Sequence, residues 1–153
     1  MRAEILNVRN GALAGNKFTM VRGDTLEIDM RVLLDDETPL IIERYECESH
    51  IPFSRAPVGS YNNRLSIQFM ATLKDGGEVQ LIYRTTQSTR HIEFSGADVL
   101  TIVFDQDSTR RLPAPVTLNF DMQLTEFVDE KKRRTATVYQ GTLEITKDFT
   151  RQY

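Results

Sequence analysis

A run of alternating residues near the end of the chain constrains its fold more than any other feature. From Thr117 to Thr125, polar and apolar residues alternate without a break. Because side chains along a β-strand point to opposite faces in turn, this run predicts a strand with one buried and one solvated face. A charged segment follows at residues 128–134 (VDEKKRR), and a second alternating run covers residues 135–146. Together they predict a long closing hairpin that supplies much of one sheet of a β-sandwich.

The second run changes phase partway along. Its apolar positions are even-numbered up to Val138 and odd-numbered from Leu143 onward. One extra residue in the strand produces such a change, and glycine is common where a strand bulges. We therefore predict a β-bulge at Gln140-Gly141.

Alternation of the same kind recurs through the rest of the chain and predicts an all-β fold. The strands are expected at residues 3–8, 25–34, 40–48, 64–73, 78–84, 92–94 and 98–104. The last of these is almost continuously apolar, which is typical of a central strand covered on both faces. Residues 10–16, rich in Gly and Asn, are expected to interrupt regular structure, and residues 105–109 to form a turn. No long helix, internal repeat or linker is visible, so the sequence predicts a single antiparallel β-sandwich domain over residues 1–153.

Length, charge and cysteine content exclude several classes of protein. A chain of 153 residues can bury a core without metals or disulfides. A lone cysteine, Cys47, allows no internal disulfide framework and suits a reducing cytoplasm. The sequence has neither an apolar run of membrane-spanning length nor a signal-peptide core, so neither membrane contact nor export is expected. A net charge of −3 argues against a general nucleic-acid binder.

The residue patterns favour neither catalysis nor a bound metal or cofactor. His50 and His91 lack the neighbours of a nucleophilic site and the spacing of metal ligands. The acidic clusters lie at strand ends, whereas a glycosidase needs paired carboxylates in a cleft. Residues 105–109 lack the glycine and the distal glutamate of a helix-loop-helix calcium site. We predict a protein that is not an enzyme and that carries no cofactor.

Two segments are candidates for contact with a partner. Residues 49–63 form the longest irregular segment, and long loops in compact domains are often functional. This segment either folds over the open end of the sandwich or docks against a neighbouring subunit. The basic cluster at the hairpin tip is either a solvated turn or a contact with an acidic neighbour. The predicted partner-binding residues are Ile51, Phe53, Val58, Tyr61, Lys131, Lys132, Arg133 and Arg134.

Several short motifs follow one another in an order that resembles bacteriophage virion proteins. They are Arg22-Gly23-Asp24-Thr25 and residues 109–113 (TRRLP), 119–125 (NFDMQLT), 141–145 (GTLEI) and 148–151 (DFTR). Each motif is short, and the likeness lies in their order, which covers most of the chain. This order is similar to that of the immunoglobulin-like N-terminal domain of phage baseplate upper proteins and of their small tail-associated relatives.

The resemblance implies an immunoglobulin-like sandwich with a structural role in the virion, at the tail, baseplate or neck. The implied partners are other virion structural proteins, contacted through loops and sheet edges by several copies in a symmetric assembly. Neither membrane nor direct nucleic-acid contact is expected. The implied location is the virion, after synthesis in the cytoplasm of the bacterial host. Two alternatives stay open: a capsid decoration protein, and a non-catalytic β-sandwich module that binds a carbohydrate or a peptide.

Overall fold

Eleven strands and one helical turn make up the described part of the chain. The computed structural model describes residues 1–40, 46–47, 64–73, 79–84, 91–94, 96, 98–127 and 133–148. In chain order the elements are β1 Arg2–Arg9, β2 Ala12–Ala14, β3 Lys17–Val21, β4 Leu26–Leu33, β5 Glu46–Cys47, β6 Arg64–Leu73, β7 Val79–Arg84, β8 Ile92–Phe94, β9 Leu100–Phe104, α1 Gln106–Thr109, β10 Val116–Phe127 and β11 Arg133–Thr146.

The strands form two sheets whose inner faces pack together. The first sheet has the order β1-β4-β9-β8, and the second has the order β2-β3-β11-β10-β6-β5, with β7 also paired to β6. Buried apolar side chains from both sheets form one cluster, which includes Ile28 of the first sheet and Phe18 of the second. Each strand carries apolar side chains at alternate positions, and these are removed from water only when a second sheet packs against them. The prediction of an all-β sandwich is confirmed.

The strand order is that of an immunoglobulin fold. In such a domain one sheet has the order A-B-E-D and the other contains C, F and G. Here β1, β4, β9 and β8 take the places of A, B, E and D, while β6, β10 and β11 take those of C, F and G. The strand β7 lies beside β6, where a variable-type domain adds C′. The expected immunoglobulin-like architecture therefore follows from the topology itself.

Two strand pairings are parallel, while the other pairings of the described strands are antiparallel as predicted. The strand β3 runs parallel to β11, with Met20 opposite Ile145. The short strand β5 runs parallel to β6. Residue alternation determines which face of a strand is buried, but it carries no information about the direction of the neighbouring strand.

Residues 10–16 contain a strand that the sequence did not predict. Ala12–Ala14 form β2, which pairs antiparallel with β3. The turn between them places Gly15 at φ 65°, a backbone conformation that glycine adopts without steric cost. Backbone hydrogen bonds to β3 define this edge strand, and its short apolar sequence shows no periodic signal that could have predicted it.

The predicted closing hairpin is confirmed, and its first strand lies inside the second sheet. The strand β10 pairs with β11 on one side and with β6 on the other.

The predicted bulge in β11 exists, but it lies at Val138 and not at Gln140-Gly141. Met122 is opposite Tyr139 and Gln123 is opposite Thr137, which leaves Val138 as the extra residue. Gly141 keeps a regular partner and is needed for a different reason, since a Cβ there would lie 2.7 Å from the carbonyl oxygen of Asn16.

The strand β9 is central in the first sheet, as predicted. It lies between β4 and β8, and four of its five residues are buried.

The strand predicted at residues 40–48 is described only in part. Glu46–Cys47 form β5, Leu40 lies outside any strand, and residues 41–45 and 48 lie outside the described part.

The turn predicted at residues 105–109 is a single helical turn, α1. Asp105 precedes it, and its carboxylate accepts a hydrogen bond from the Ser108 backbone N–H at 2.9 Å. An aspartate in this position satisfies a donor that a helix start would otherwise leave without a partner.

Candidate functional site

Most of the predicted partner-binding residues lie outside the described part of the chain. This holds for Ile51, Phe53, Val58, Tyr61, Lys131 and Lys132. Arg133 begins β11, and Arg134 is exposed next to it, directly opposite Glu126 of β10. Residues directly opposite on adjacent strands interact, so Glu126 offsets part of the positive charge at this end of the hairpin. The two segments therefore stay predicted contact surfaces.

Three of the motifs behind the virion resemblance meet at one end of the sandwich. We call this cluster, formed by residues 22–24, 109–112 and 146–148, the motif corner. The Arg22 side chain donates from Nε to Oδ1 of Asp148 at 3.0 Å, and its Nη2 lies 2.9 Å from the same oxygen. Its Nη1 donates to the carbonyl oxygen of Leu112 at 3.4 Å. One guanidinium thus joins the chain after β3, the chain after α1 and the chain after β11.

Backbone groups complete the motif corner. The Gly23 N–H donates to Thr109 Oγ1 at 3.3 Å, and the Arg22 N–H donates to the carbonyl oxygen of Thr146 at 3.0 Å. Gly23 has φ 87°, and the Asp24 N–H donates to the Val21 carbonyl oxygen at 3.1 Å, so Arg22-Gly23-Asp24 is a turn. Because Thr109 is fully buried, its hydroxyl is positioned by the fold and acts as a fixed acceptor for this turn.

Burial makes the ion pair of the motif corner structurally important. The Asp148 side chain is 4% exposed and that of Arg22 is 26% exposed. A carboxylate removed from water requires a charged or hydrogen-bonding partner, because desolvation of an isolated charge is very costly. The motif corner therefore fixes three separate chain segments to one another, which is a structural and not a chemical task.

A second polar cluster has the residue types of a catalytic triad without its geometry. His91 Nε2 lies 3.2 Å from Asp105 Oδ2 and 3.4 Å from Ser108 Oγ. In a triad the carboxylate binds one ring nitrogen, while the other accepts the proton of the nucleophile. Here both neighbours approach the same nitrogen, so the aspartate does not orient the ring for proton transfer from the serine.

Within this cluster, the Asp105 carboxylate caps the N-terminus of α1. Burial tends to raise the pKa of its carboxyl, but hydrogen bonds from the Ser108 side chain and backbone, together with His91, outweigh burial and lower the pKa. No sequence pattern predicts this cluster, since His91 and Asp105 lie on opposite sides of β9 in the chain and no short motif links them.

The outer face of the first sheet carries a charged network. Arg9 of β1 donates from Nε to Glu27 Oε2 at 2.8 Å and from Nη2 to Asp29 Oδ1 at 3.0 Å. The Thr101 hydroxyl of β9 donates to the same Asp29 oxygen at 2.6 Å. The hydrogen bond from Arg9 is the main cause that lowers the pKa of Asp29, and Thr101 adds to it. This network covers Thr101, which explains why β9 is buried on both faces.

The sheet edges in the described part offer little regular backbone for pairing with another chain. The edge strands β2 and β8 have three residues each, and β7, which pairs with β6 through an irregular register, has six. The longer edge strand β1 has an irregular register between Ile5 and Asn7, and the intervening Leu6 is 39% exposed. Short edges and bulges are features that oppose edge-to-edge association. Docking through an edge would therefore involve short segments.

Within residues that the structure describes, no three His, Cys, Asp or Glu side chains come together in a way that could hold a metal ion. No helix in the same part of the chain is long and apolar enough to cross a membrane.

Comparison with known proteins assigns no family. No family model matches the chain, and no curated protein matches it. Among solved structures, the chain is similar to AggA, the major subunit of aggregative adherence fimbriae type I from Escherichia coli. The two are 8% identical over 97% of each chain, with a TM-score of 0.33. A likeness this weak carries no argument about function, and the fold assignment rests on the strand order.

Proposed function

We propose that this protein is a structural component of a bacteriophage virion, at the tail, baseplate or neck. In this proposal it is synthesised in the cytoplasm of the bacterial host and docks in several copies to other virion proteins. It acts by binding and not by catalysis, and it needs no cofactor.

The observation that carries the proposal is the motif corner. Residues 22–24, 109–112 and 148 belong to three separate motifs of the virion resemblance, and hydrogen bonds join them in one cluster. Motifs that share one structural task are expected to recur together in related domains, whereas unrelated chance matches have no reason to meet in space. This convergence supports a common fold with the baseplate-type domain, and the role in assembly is inferred from that likeness.

Two polar clusters on the first sheet and beside α1 also favour a binding role. In the His91, Asp105 and Ser108 arrangement both neighbours approach the same ring nitrogen, and the aspartate caps α1. The charged network around Arg9 is tied together by its own hydrogen bonds. Both clusters stabilise the sandwich, which leaves loops and strand ends as the surfaces that a neighbouring subunit would contact.

Sedimentation with virus particles tests this proposal. The purified protein would be centrifuged alone, and then after mixing with tails and with capsids purified from the phage whose genome encodes it. We expect co-sedimentation with tails at a fixed number of copies per particle. Co-sedimentation with capsids alone would instead identify a capsid decoration protein. A protein that stays monomeric and ignores both particles would contradict a role in the virion.

A further inference from the structure

The outer face of the second sheet contains a polar pocket that the proposed function does not use. Its volume is about 360 Å³. Binding pockets for small molecules begin at about this size, so it could hold one or two sugar rings. The polar residues that line it are Asn16, Thr72, Asn119, Asp121, Gln140 and Thr142.

Strand pairing places these side chains in two rows. Asn119 of β10 lies between Thr72 of β6 and Thr142 of β11, and one step along β10, Asp121 lies opposite Gln140. Neighbouring side chains in such rows are about 5 Å apart, and successive outward residues on one strand are about 7 Å apart. The sheet thus presents a grid of hydrogen-bonding groups whose spacing is set by its backbone.

The turn before β3 supplies the side wall of the pocket. The Thr142 N–H donates to the carbonyl oxygen of Asn16 at 3.0 Å, which attaches this turn to β11. Gly141 permits the approach, because a Cβ there would lie only 2.7 Å from the Asn16 oxygen. The wall is therefore a fixed part of the fold.

The chemistry of the lining selects for a neutral ligand rich in hydroxyl groups. Amide and hydroxyl side chains both donate and accept hydrogen bonds, and Asp121 only accepts them. Among the described residues that line the pocket, Asp121 is the single charged group and no Lys, Arg or His occurs. An anion would find no counter-charge there and would be repelled by Asp121.

The outer face of the first sheet provides a comparison within the same molecule. There the charged side chains Arg9, Glu27 and Asp29 are engaged with one another. The pocket instead gathers amides and hydroxyls around a single carboxylate in a concave surface. We propose that this pocket binds a neutral saccharide, with Asp121 accepting a hydrogen bond from a sugar hydroxyl and the amides of Asn119 and Gln140 contacting its neighbours.

Binding at this site would be weak. Each hydrogen bond to the sugar replaces one to water, so a few such bonds give a dissociation constant on the order of 1 mM. Several copies in one particle would strengthen attachment to a surface that carries many sugars. The pocket lies on a sheet face, and its described lining residues lie outside the segment 49–63 and the basic hairpin tip that the sequence indicates as contact surfaces.

Nuclear magnetic resonance titration of the full-length protein tests the proposal without any virus particle, so its outcome is independent of the virion role. The probes would be glucose, galactose, mannose and N-acetylglucosamine, with glucuronic acid, inorganic phosphate and calcium chloride as comparison compounds. We expect at least one neutral sugar to shift the amide signals of Thr72, Asn119, Asp121 and Thr142 in a saturable manner.

A matched pair of substitutions separates the pocket from general surface effects. Asp121→Asn should weaken sugar binding about fivefold or more, because it replaces a charge-assisted hydrogen bond with a neutral one. Asp107→Asn makes the same chemical change on exposed α1 and should leave binding unchanged. Unshifted spectra with all neutral sugars at about 100 mM, a hundred times the expected constant, would overturn the proposal. Equal affinity of Asp121→Asn, or saturable binding of phosphate or calcium at the pocket in place of sugar, would overturn it as well.

Discussion

Arg22 joins parts of the chain that are 126 positions apart, because its guanidinium binds Asp148. The sequence shows both residues inside short motifs but gives no sign that they touch. Their separation is too large for any local rule, whether helical spacing or strand alternation, to connect them. The structure supplies the reason why both motifs carry a charged residue at these positions.

Replacement of Arg22 by Ala should lower the free energy of unfolding by about 3 kcal/mol, because it removes the guanidinium that binds the Asp148 carboxylate, which is 4% exposed. Urea unfolding followed by far-ultraviolet circular dichroism would measure the change. Arg2→Ala serves as the matched control, since Arg2 and Glu37 form an exposed pair, and it should cost less than about 1 kcal/mol. Similar losses for the two variants would contradict the structural role of the motif corner. The double variant Arg22→Met, Asp148→Leu should recover part of the loss, because no buried charge is left behind.

Asp29 should make the stability depend on pH at the acidic end. Its pKa is lowered from the ordinary 3.8 by the hydrogen bond from Arg9 and then by that from Thr101. A carboxyl whose pKa is lowered by folding contributes stability above its unfolded pKa, and this contribution disappears as the pH falls through the folded value. Urea midpoints at pH 7 and pH 3 should therefore differ less in Asp29→Asn than in the natural protein. Arg9→Met should reduce the difference in the same way, and an unchanged difference in both variants would refute the assignment.

At the scale of single elements, β11 depends on one glycine. A Cβ at Gly141 would lie 2.7 Å from the Asn16 carbonyl oxygen and 3.0 Å from ring atoms of both Phe120 and Tyr139. The rings of Phe18, Phe120 and Tyr139 pack together beneath it, with centroids 5.7 to 6.1 Å apart. Neither the backbone of the turn nor the packed rings can move away cheaply.

Gly141→Ala should therefore destabilise the protein by about 1–3 kcal/mol, the usual cost of an overpacked core. Without these neighbours the same change in a strand would be favourable, since glycine loses more backbone entropy on folding than alanine. Gly96→Ala is the control, because among the described residues a Cβ there would meet only Val99, at an ordinary 3.7 Å or more. Thermal unfolding of both variants would measure the difference, and a Gly141→Ala protein as stable as Gly96→Ala would contradict the close approach of the turn.

Residue alternation predicted the long strands because each of them buries one face. The strands β4, β6, β7, β10 and β11 all lie close to their predicted positions. It failed for β2, whose three residues are ordered by backbone pairing, and it misplaced the bulge by a few residues. A phase change between Val138 and Leu143 can be absorbed at any position between them, so the side-chain pattern alone does not fix the location.

The candidate sites were less predictable than the fold. The pocket around Asn119 and Asp121 is assembled from β6, β10, β11 and the turn before β3, so it depends on strand register and neighbour order. In sequence these outward residues look like any solvated face. The sequence indicated partner contact only at the basic hairpin tip and at residues 49–63. Among the predicted contact residues, Arg134 is the one whose exposure the structure describes.

At the scale of the whole molecule, β10 should be the most persistent strand. It has twelve residues and is hydrogen-bonded on both sides, whereas β2 is a three-residue edge. Central strands open only with global unfolding, while edges open locally. Amide hydrogen exchange should therefore be slowest for residues 118–124 and much faster for residues 12–14. Equal protection of the two segments would show that the second sheet opens as one unit.

The charged tip gives a second prediction at this scale, which rests on the proposed virion role. Arg134→Glu should weaken co-sedimentation with the particle if the tip contacts an acidic neighbour. Arg2→Glu makes the same exposed change at the other sheet and should leave co-sedimentation as it was. Equal effects of the two variants would argue against a contact through the hairpin tip.

The parallel pairing of β3 with β11 has a consequence for the order in which the protein can form during translation. Residues 17–21 are synthesised well before residues 142–146, with which they pair. The strand β10 likewise precedes β11, its partner on one side. The second sheet can therefore be completed only after residues 142–146 have been made, and until then the nascent chain presents no finished face on that side. A subunit that binds this face would therefore bind only chains in which β11 has already been made and paired.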